Sequence, residues 1–237
     1  MREEEFVVTK KILRAHRQEE YESFSLVGRK GVGKTTFAVK IVTQIYMTLY
    51  KLSEDDAYKE ALKVLFFDMN DVISFLKKYS GEQQTVMIWD DIRAHMSGYA
   101  VKAKPREAHE VLALMDTARD SVCGFISTSP SVKGVASFLK QEQGWLCVIR
   151  KDRNHNWRVC KGYLRFEIPS GTMRHTPRFQ DFFYKMLPDW VYHEVKEKRR
   201  HYKEIAVKNI EDRIKQSQVE RDITQLKNEL EFIKKAV

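Results

Sequence analysis

Apolar positions along this chain fall into short unbroken runs and wider, helix-spaced sets, and the two alternate. Ser23-Phe24-Ser25-Leu26-Val27 is a short apolar run closed by Gly28, which predicts a buried strand. Thr36 to Val42 opens a helix reaching about Leu52. Ser53 followed by Glu54, Asp55 and Asp56 predicts an N-cap and a second helix to Leu62. Val64-Leu65-Phe66-Phe67 reads as a second strand. Asn70 or Asp71 then caps a helix with Val72, Phe75, Leu76 and Tyr79 on one face, ended by Gly81. Thr85 to Trp89 is a third apolar strand, and it stops at Asp90-Asp91.

A loop is expected over 92–106 and a helix from Arg106 to Arg119, with Val111, Leu112, Leu114 and Met115 inward. Cys123 to Pro130 is a fourth strand ending in hydroxyls, with Ser129 or Ser131 capping a helix over Val132–Lys140. Trp145–Arg150, the turn residues Asp152 to Asn156, and Trp157–Ile168 predict a hairpin closed by Pro169-Ser170-Gly171. Residues 172–188 are rich in aromatics and are expected to pack over the sheet edge. Residues 1–22, through Phe6, Val7, Val8, Ile12 and Leu13, are expected to add a short strand or helix. Beyond Pro188 the pattern is helical. Val207, Ile210 and Ile214, then Ile223, Leu226, Leu230, Ile233 and Val237, suit a self-association or partner helix, with a phase break near Ser217–Val219. Strands alternating with helices imply an α/β domain over 1–188 with a mainly parallel sheet and an edge hairpin, followed by a helical extension over 189–237.

The junction of the first strand and the first long helix carries the chemistry. Gly28-Arg29-Lys30-Gly31-Val32-Gly33-Lys34-Thr35, followed by Thr36, fits the phosphate-binding P-loop at every required position. The glycines allow positive φ and close approach of a ligand. Successive amides then form an anion nest at a helix N-terminus. Lys34 can reach the β- and γ-phosphates, and the Thr35 hydroxyl can face Mg²⁺. At the end of a parallel strand, Asp90 falls beside the crevice where open α/β sheets bind ligands, and there it would hold Mg²⁺ directly or through water.

Composition narrows the setting. The chain has 237 residues, 43% hydrophobic and 32% charged, which suits one globular domain with an appendage. No apolar run approaches the ~20 residues of a membrane span, and Met1-Arg2-Glu3-Glu4-Glu5 is not a secretion signal, so an intracellular, cytoplasmic protein is expected. Cys123, Cys147 and Cys160 lack metal-ligand spacing and are expected to be buried, reduced thiols. His95 and His109 are expected at the surface. Net charge is +9, and the excess is local. Arg150, Lys151, Arg153, Arg158, Lys161, Arg165, Arg174 and Arg178 face only Asp152 and Glu167 between residues 145 and 178. Such a patch suits a polyanion, and DNA is the expected partner.

With GRKGVGKT, IWDD and FISTS in this order, residues 20–168 resemble the RecA-like, additional-strand P-loop ATPases, a three-layer α/β sandwich. The string TARDS and the strand FISTSP look most like the FtsK–HerA branch, and like small ATPases of archaeal viruses and plasmids. A related option is the AAA+ branch of DnaA-like initiators and helicase loaders. The resemblance implies a Mg²⁺-dependent ATPase, working as an oligomer on DNA. IWDD is then the Walker B strand. Asp91 stands where the class more often has a water-polarising glutamate, and Thr128 or Ser129 is the polar sensor. Lys34, Asp91 and Thr128 become the catalytic set and Thr35 and Asp90 the metal pair. Arg119 and Arg150 lie near the ends of core elements, where an arginine finger is also implied. The lysine that ParA-type loops place first is here Arg29, which argues against that chemistry. The alternative function is a nucleotide-gated interaction protein that docks a partner through its C-terminal helix with little turnover.

Overall fold

The computed structural model describes residues 4–79, 81, 84–92, 113, 118–131, 144–153, 156–168, 170–205 and 207–208. Two compact units result, Met1–Tyr192 and His193–Val237. The first opens with α1 (Val7–Gln18), β1 (Glu22–Val27), α2 (Lys34–Tyr50), α3 (Glu54–Lys63) and β2 (Leu65–Phe66). It continues through α4 (Met69–Lys78), β3 (Gln84–Trp89), β4 (Val122–Ser129), β5 (Gly144–Lys151), β6 (Trp157–Glu167) and β7 (Met173–Tyr184). A further helix, α5, spans 189–205.

All seven strands form one sheet in the order β2-β3-β4-β1-β5-β6-β7. The first five are parallel; β6 and β7 are antiparallel. The strand that leads into the P-loop is therefore separated from the strand ending in Asp90 by β4. This is the strand order that the resemblance to RecA-like P-loop ATPases implies, and it is what lets three loop ends converge. The central position of β4 matches its sequence, since all eight of its residues are buried. A strand covered on both faces reads as an apolar run rather than an alternation.

Helices cover both faces. Gly124 faces α1 so closely that a Cβ there would stand 2.8 Å from Ile12. The next residue on β4, Phe125, points to the opposite face, into a cluster with Val72 and Leu76 of α4 and Met87 and Trp89 of β3. On the α1 side, Phe6 packs edge-on against Phe37 of α2 at 5.0 Å, and Phe37 stacks on Phe183 of β7 at 4.5 Å.

Of the strand or helix expected within residues 1–22, the structure forms a helix, α1, whose Val8 and Ile12 are wholly buried. Four other expectations need correction. The cap of α4 is Asp68, whose side chain accepts from the amide of Asn70; the run Val64–Phe67 reduces to the two-residue β2. Residues 173–184 form a twelve-residue strand rather than an aromatic cover. Pro177 argues against a strand there, but β7 is the sheet edge, where a missing amide hydrogen costs nothing. Of the eight cations in the expected basic patch, Arg158 and Arg165 are buried. Of the predicted loop over 92–106 the structure describes Ile92, which is buried, and of the predicted helix at 106–119 it describes residues 113, 118 and 119, the last two in a 3₁₀ turn, Ala118–Asp120; the helix at 132–140, His95, His109 and the heptad segment beyond Lys208 lie outside the described residues.

A long-range contact ties the first helix to the last strand. The α1 N-cap, Phe6, has no capping side chain, and its first turn has no acid. Asp181 of β7 takes that role, accepting from the Val7 amide at 3.0 and 3.2 Å. Burial pushes its carboxyl above the usual range, opposed by the helix amides it accepts from.

Candidate nucleotide site

The P-loop follows β1 as a tight turn. Gly28 has φ 157° and presses on β5, where a Cβ would meet the carbonyl oxygen of Ile149 at 2.6 Å. Gly33, the N-cap of α2, has φ 101°. Both conformations favour glycine. Between them the loop is closed by the Val32 amide donating to the carbonyl of Arg29 at 3.2 Å. Arg29, Lys30 and Gly31 form its exposed tip, while Lys34, Thr35 and Thr36 open α2 half-buried. The Lys34 ammonium donates to the carbonyls of Gly28 and Arg29 at 2.9 and 3.3 Å, so its charge stays over the loop.

Asp90 lies just beyond β3, and its backbone amide donates to Phe66 of β2 at 2.8 Å, which fixes its position. Its carboxylate is 3% exposed, so hydrogen bonds must replace water. Two hydroxyls do so at one oxygen. Thr35 donates to Asp90 Oδ1 at 2.8 Å, and Thr128 of β4 donates to the same atom at 2.7 Å. Thr128 in turn accepts the backbone amide of Asp91 at 3.0 Å. Asp91 is exposed and left-handed, with φ 51°. The ends of β3 and β4 and the start of α2 thus meet at one carboxylate.

Among the alternatives left open by the pattern, the structure brings Thr128 to Asp90. Ser129 turns away and donates to the carbonyl of Ser131 at 2.8 Å. Ser127 donates to Ser25 of β1 at 3.4 Å. The pair Thr35 and Asp90 offers only hard oxygen donors side by side, which suits Mg²⁺ held by few protein ligands and completed by phosphate and water.

Residues 24–140 match the family model described as "ATPase family associated with various cellular activities (AAA)". That stretch of the chain is similar to AAA-type ATPases. The whole chain is similar to an uncharacterized protein, B-251, of Sulfolobus spindle-shape virus 1, 28% identical over 212 residues, covering 85% of this chain and 83% of that protein. Among solved structures it is similar to a KaiC-like protein from Pyrococcus horikoshii, at 16% identity and TM-score 0.36, covering 67% of this chain and 90% of that one. It is also similar to the N-terminal domain of zonular occludens toxin from Neisseria meningitidis, at 13% identity and TM-score 0.39, covering 73% and 98%. Among the described residues no helix is long and apolar enough to cross a membrane.

Sequence reasoning missed one residue beside the phosphate loop. Arg158 was counted with the basic patch, yet it is 2% exposed and its Nε donates to the carbonyl of Val32 at 3.0 Å. Its Nη1 donates to the Trp157 carbonyl at 2.7 Å. A basic residue inside an otherwise apolar strand stretch (Val159, Cys160) is the only local signal for such a role.

Proposed function

We propose that this protein is a Mg²⁺-dependent ATPase whose hydrolysis is coupled to DNA, in translocation, packaging or loading, as an oligomer. The observation that carries the ATPase half is the convergence of Thr35 and Thr128 on the single buried oxygen of Asp90, beside the P-loop. In this reading the loop amides and Lys34 hold the β- and γ-phosphates. Thr35 and Asp90 would hold Mg²⁺, which neutralises charge on the phosphate oxygens when bound. Asp91 orients the attacking water. Thr128 keeps Asp90 and the Asp91 backbone in fixed relation. Positioning and charge stabilisation supply most of the rate in such a site.

The DNA half is supported by net charge +9 and by the exposed cations Arg150, Lys151, Arg153, Lys161, Arg174 and Arg178 on β5, β6, β7 and the β5–β6 turn. An antiparallel edge bearing cations suits phosphate backbones. The deciding experiment is ATP hydrolysis by the full chain with no DNA, single-stranded DNA and duplex DNA, alongside a mass measurement in solution. Stimulation by DNA that is lost in Lys34→Ala supports the proposal. Tight ATP binding with negligible turnover under all three conditions points instead to a nucleotide-gated interaction protein.

A further inference from the structure

The antiparallel strands beyond β5 reach back to the phosphate loop at two points. The first is the Arg158–Val32 hydrogen bond described above. The second is at Gly33. A Cβ on that glycine would lie 3.4 Å from the Phe183 ring and 3.7 Å from Cγ of Lys185. Those are ordinary packing distances, so Gly33 takes the left-handed turn into α2 while the end of β7 lies beside the loop. Lys185 is held at its backbone, because its amide donates to the Asn156 carbonyl at 3.0 Å. The neighbouring Trp157 and Tyr184 rings pair edge-on at 5.9 Å and close the same end of the hairpin. The backbone of Lys185 is thus held with its stem near Gly33, while the residue as a whole remains exposed.

We propose that Lys185 is a second phosphate-contacting cation of the nucleotide site, delivered in cis by the β6–β7 hairpin, and that Arg158 is the positioning residue that locks the loop to that hairpin. The inference rests on the nucleotide reading of the P-loop. Its physical reason is charge. A nucleoside triphosphate brings several negative charges to a loop whose own lysine also serves two loop carbonyls. A lysine is a mobile point charge on a long stem. With its backbone held and its stem near Gly33, it can meet phosphate oxygens at the α2 N-terminus. Arg158 acts differently. Its planar guanidinium spans Val32 and Trp157, so loop and hairpin move together, and occupancy of the hairpin surface would be felt at the phosphates.

The test uses the full chain and measures binding of ATP, ADP and AMP, with melting temperature recorded in parallel. Lys185→Ala should weaken ATP binding about tenfold, the size of one charge-assisted contact. AMP binding should change far less, and melting should be unaffected because the residue is exposed. Lys185→Arg should restore most of the loss. Arg158→Lys, which keeps a charged donor, should raise the KM for ATP while leaving kcat within about twofold, as expected for loss of uniform binding. If Lys185→Ala binds ATP as tightly as the unaltered protein, while Lys34→Ala does not, the inference fails and the nucleotide site stands. Equal losses for ATP and AMP also overturn it. If the unaltered protein binds no ATP, the site reading falls and takes this inference with it.

Discussion

The Thr128 hydroxyl donates to Asp90 at 2.7 Å and at the same time accepts the amide hydrogen of Asp91 at 3.0 Å. One side chain on β4 thus holds the Asp90 carboxylate and the Asp91 backbone together. Replacing it with valine keeps the shape and removes both bonds. Thr128→Val should cost about 1–3 kcal/mol of stability, because a buried carboxylate loses a donor and an amide loses its acceptor. ATP turnover should fall by at least about tenfold if Asp91 orients water. Thr128→Ser should be close to the unaltered protein in both; denaturant melts and steady-state turnover check this.

Lys34→Ala should abolish ATP binding or turnover, since its ammonium is the loop's own cation and sits 2.9 Å from the Gly28 carbonyl. Asp91→Ala should bind ATP normally yet hydrolyse it slowly. Normal turnover in either variant would remove that residue from its assigned role. Binding and turnover measured on the same preparation separate the two.

Gly28→Ala should be strongly destabilising. The added methyl would stand 2.6 Å from the Ile149 carbonyl oxygen, a backbone atom that cannot rotate aside. A cost of about 1–3 kcal/mol follows from overpacking plus unfavourable φ. A melting temperature equal to that of the parent would show that β5 yields easily.

Asp181 gives a pH prediction. Its folded carboxyl titrates above the usual range, with burial as the main cause and the Val7 and Val8 amides opposing. A raised folded value means the contribution to stability is fully present below the ordinary aspartate range. It is lost as pH rises through the folded value. The stability of the parent relative to Asp181→Asn should therefore decline across that window and stay flat above it. Denaturant melts at several pH values between acid and neutral would show it; a difference that grows with pH would contradict it. Asp181→Ala should in addition lose the α1 cap, about 1 kcal/mol.

The cysteines should be inert in the folded protein. All three are buried. Burial pushes the Cys123 thiol up to about 11, and Cys160 is likewise raised by burial and by its neighbour Cys147. The thiolate is the reactive form. Iodoacetamide at neutral pH should leave them unmodified until denaturant is added, as intact-mass measurement would record.

The parts of the site legible in the sequence are those made by contiguous residues. The glycines, Lys34 and Thr35 act through a loop only a few residues long, so spacing alone exposes them. Asp90 is marked by the abrupt end of an apolar run. Ser53 was readable as a cap because its partner, the Asp56 amide, is three residues away. Asp68 was hidden because Asn70 and Asp71 are equally good capping residues, and only the backbone path chooses among them. The β7 strand was obscured by its many aromatics, and Pro177 fits within it because β7 is the sheet edge.

By itself, then, the chain's order of residues determined the P-loop, the strand-borne carboxylate and the alternation that makes an α/β sheet, because each depends on local backbone geometry and on which face is apolar. The folded structure alone decided that Thr128 rather than Ser129 meets Asp90, that Arg158 leaves the basic surface to grip Val32 126 residues away, and that Asp181 caps a helix 174 residues before it. Those contacts depend on strand order and register, which bring distant positions within hydrogen-bond range, and spacing along the chain carries no record of them.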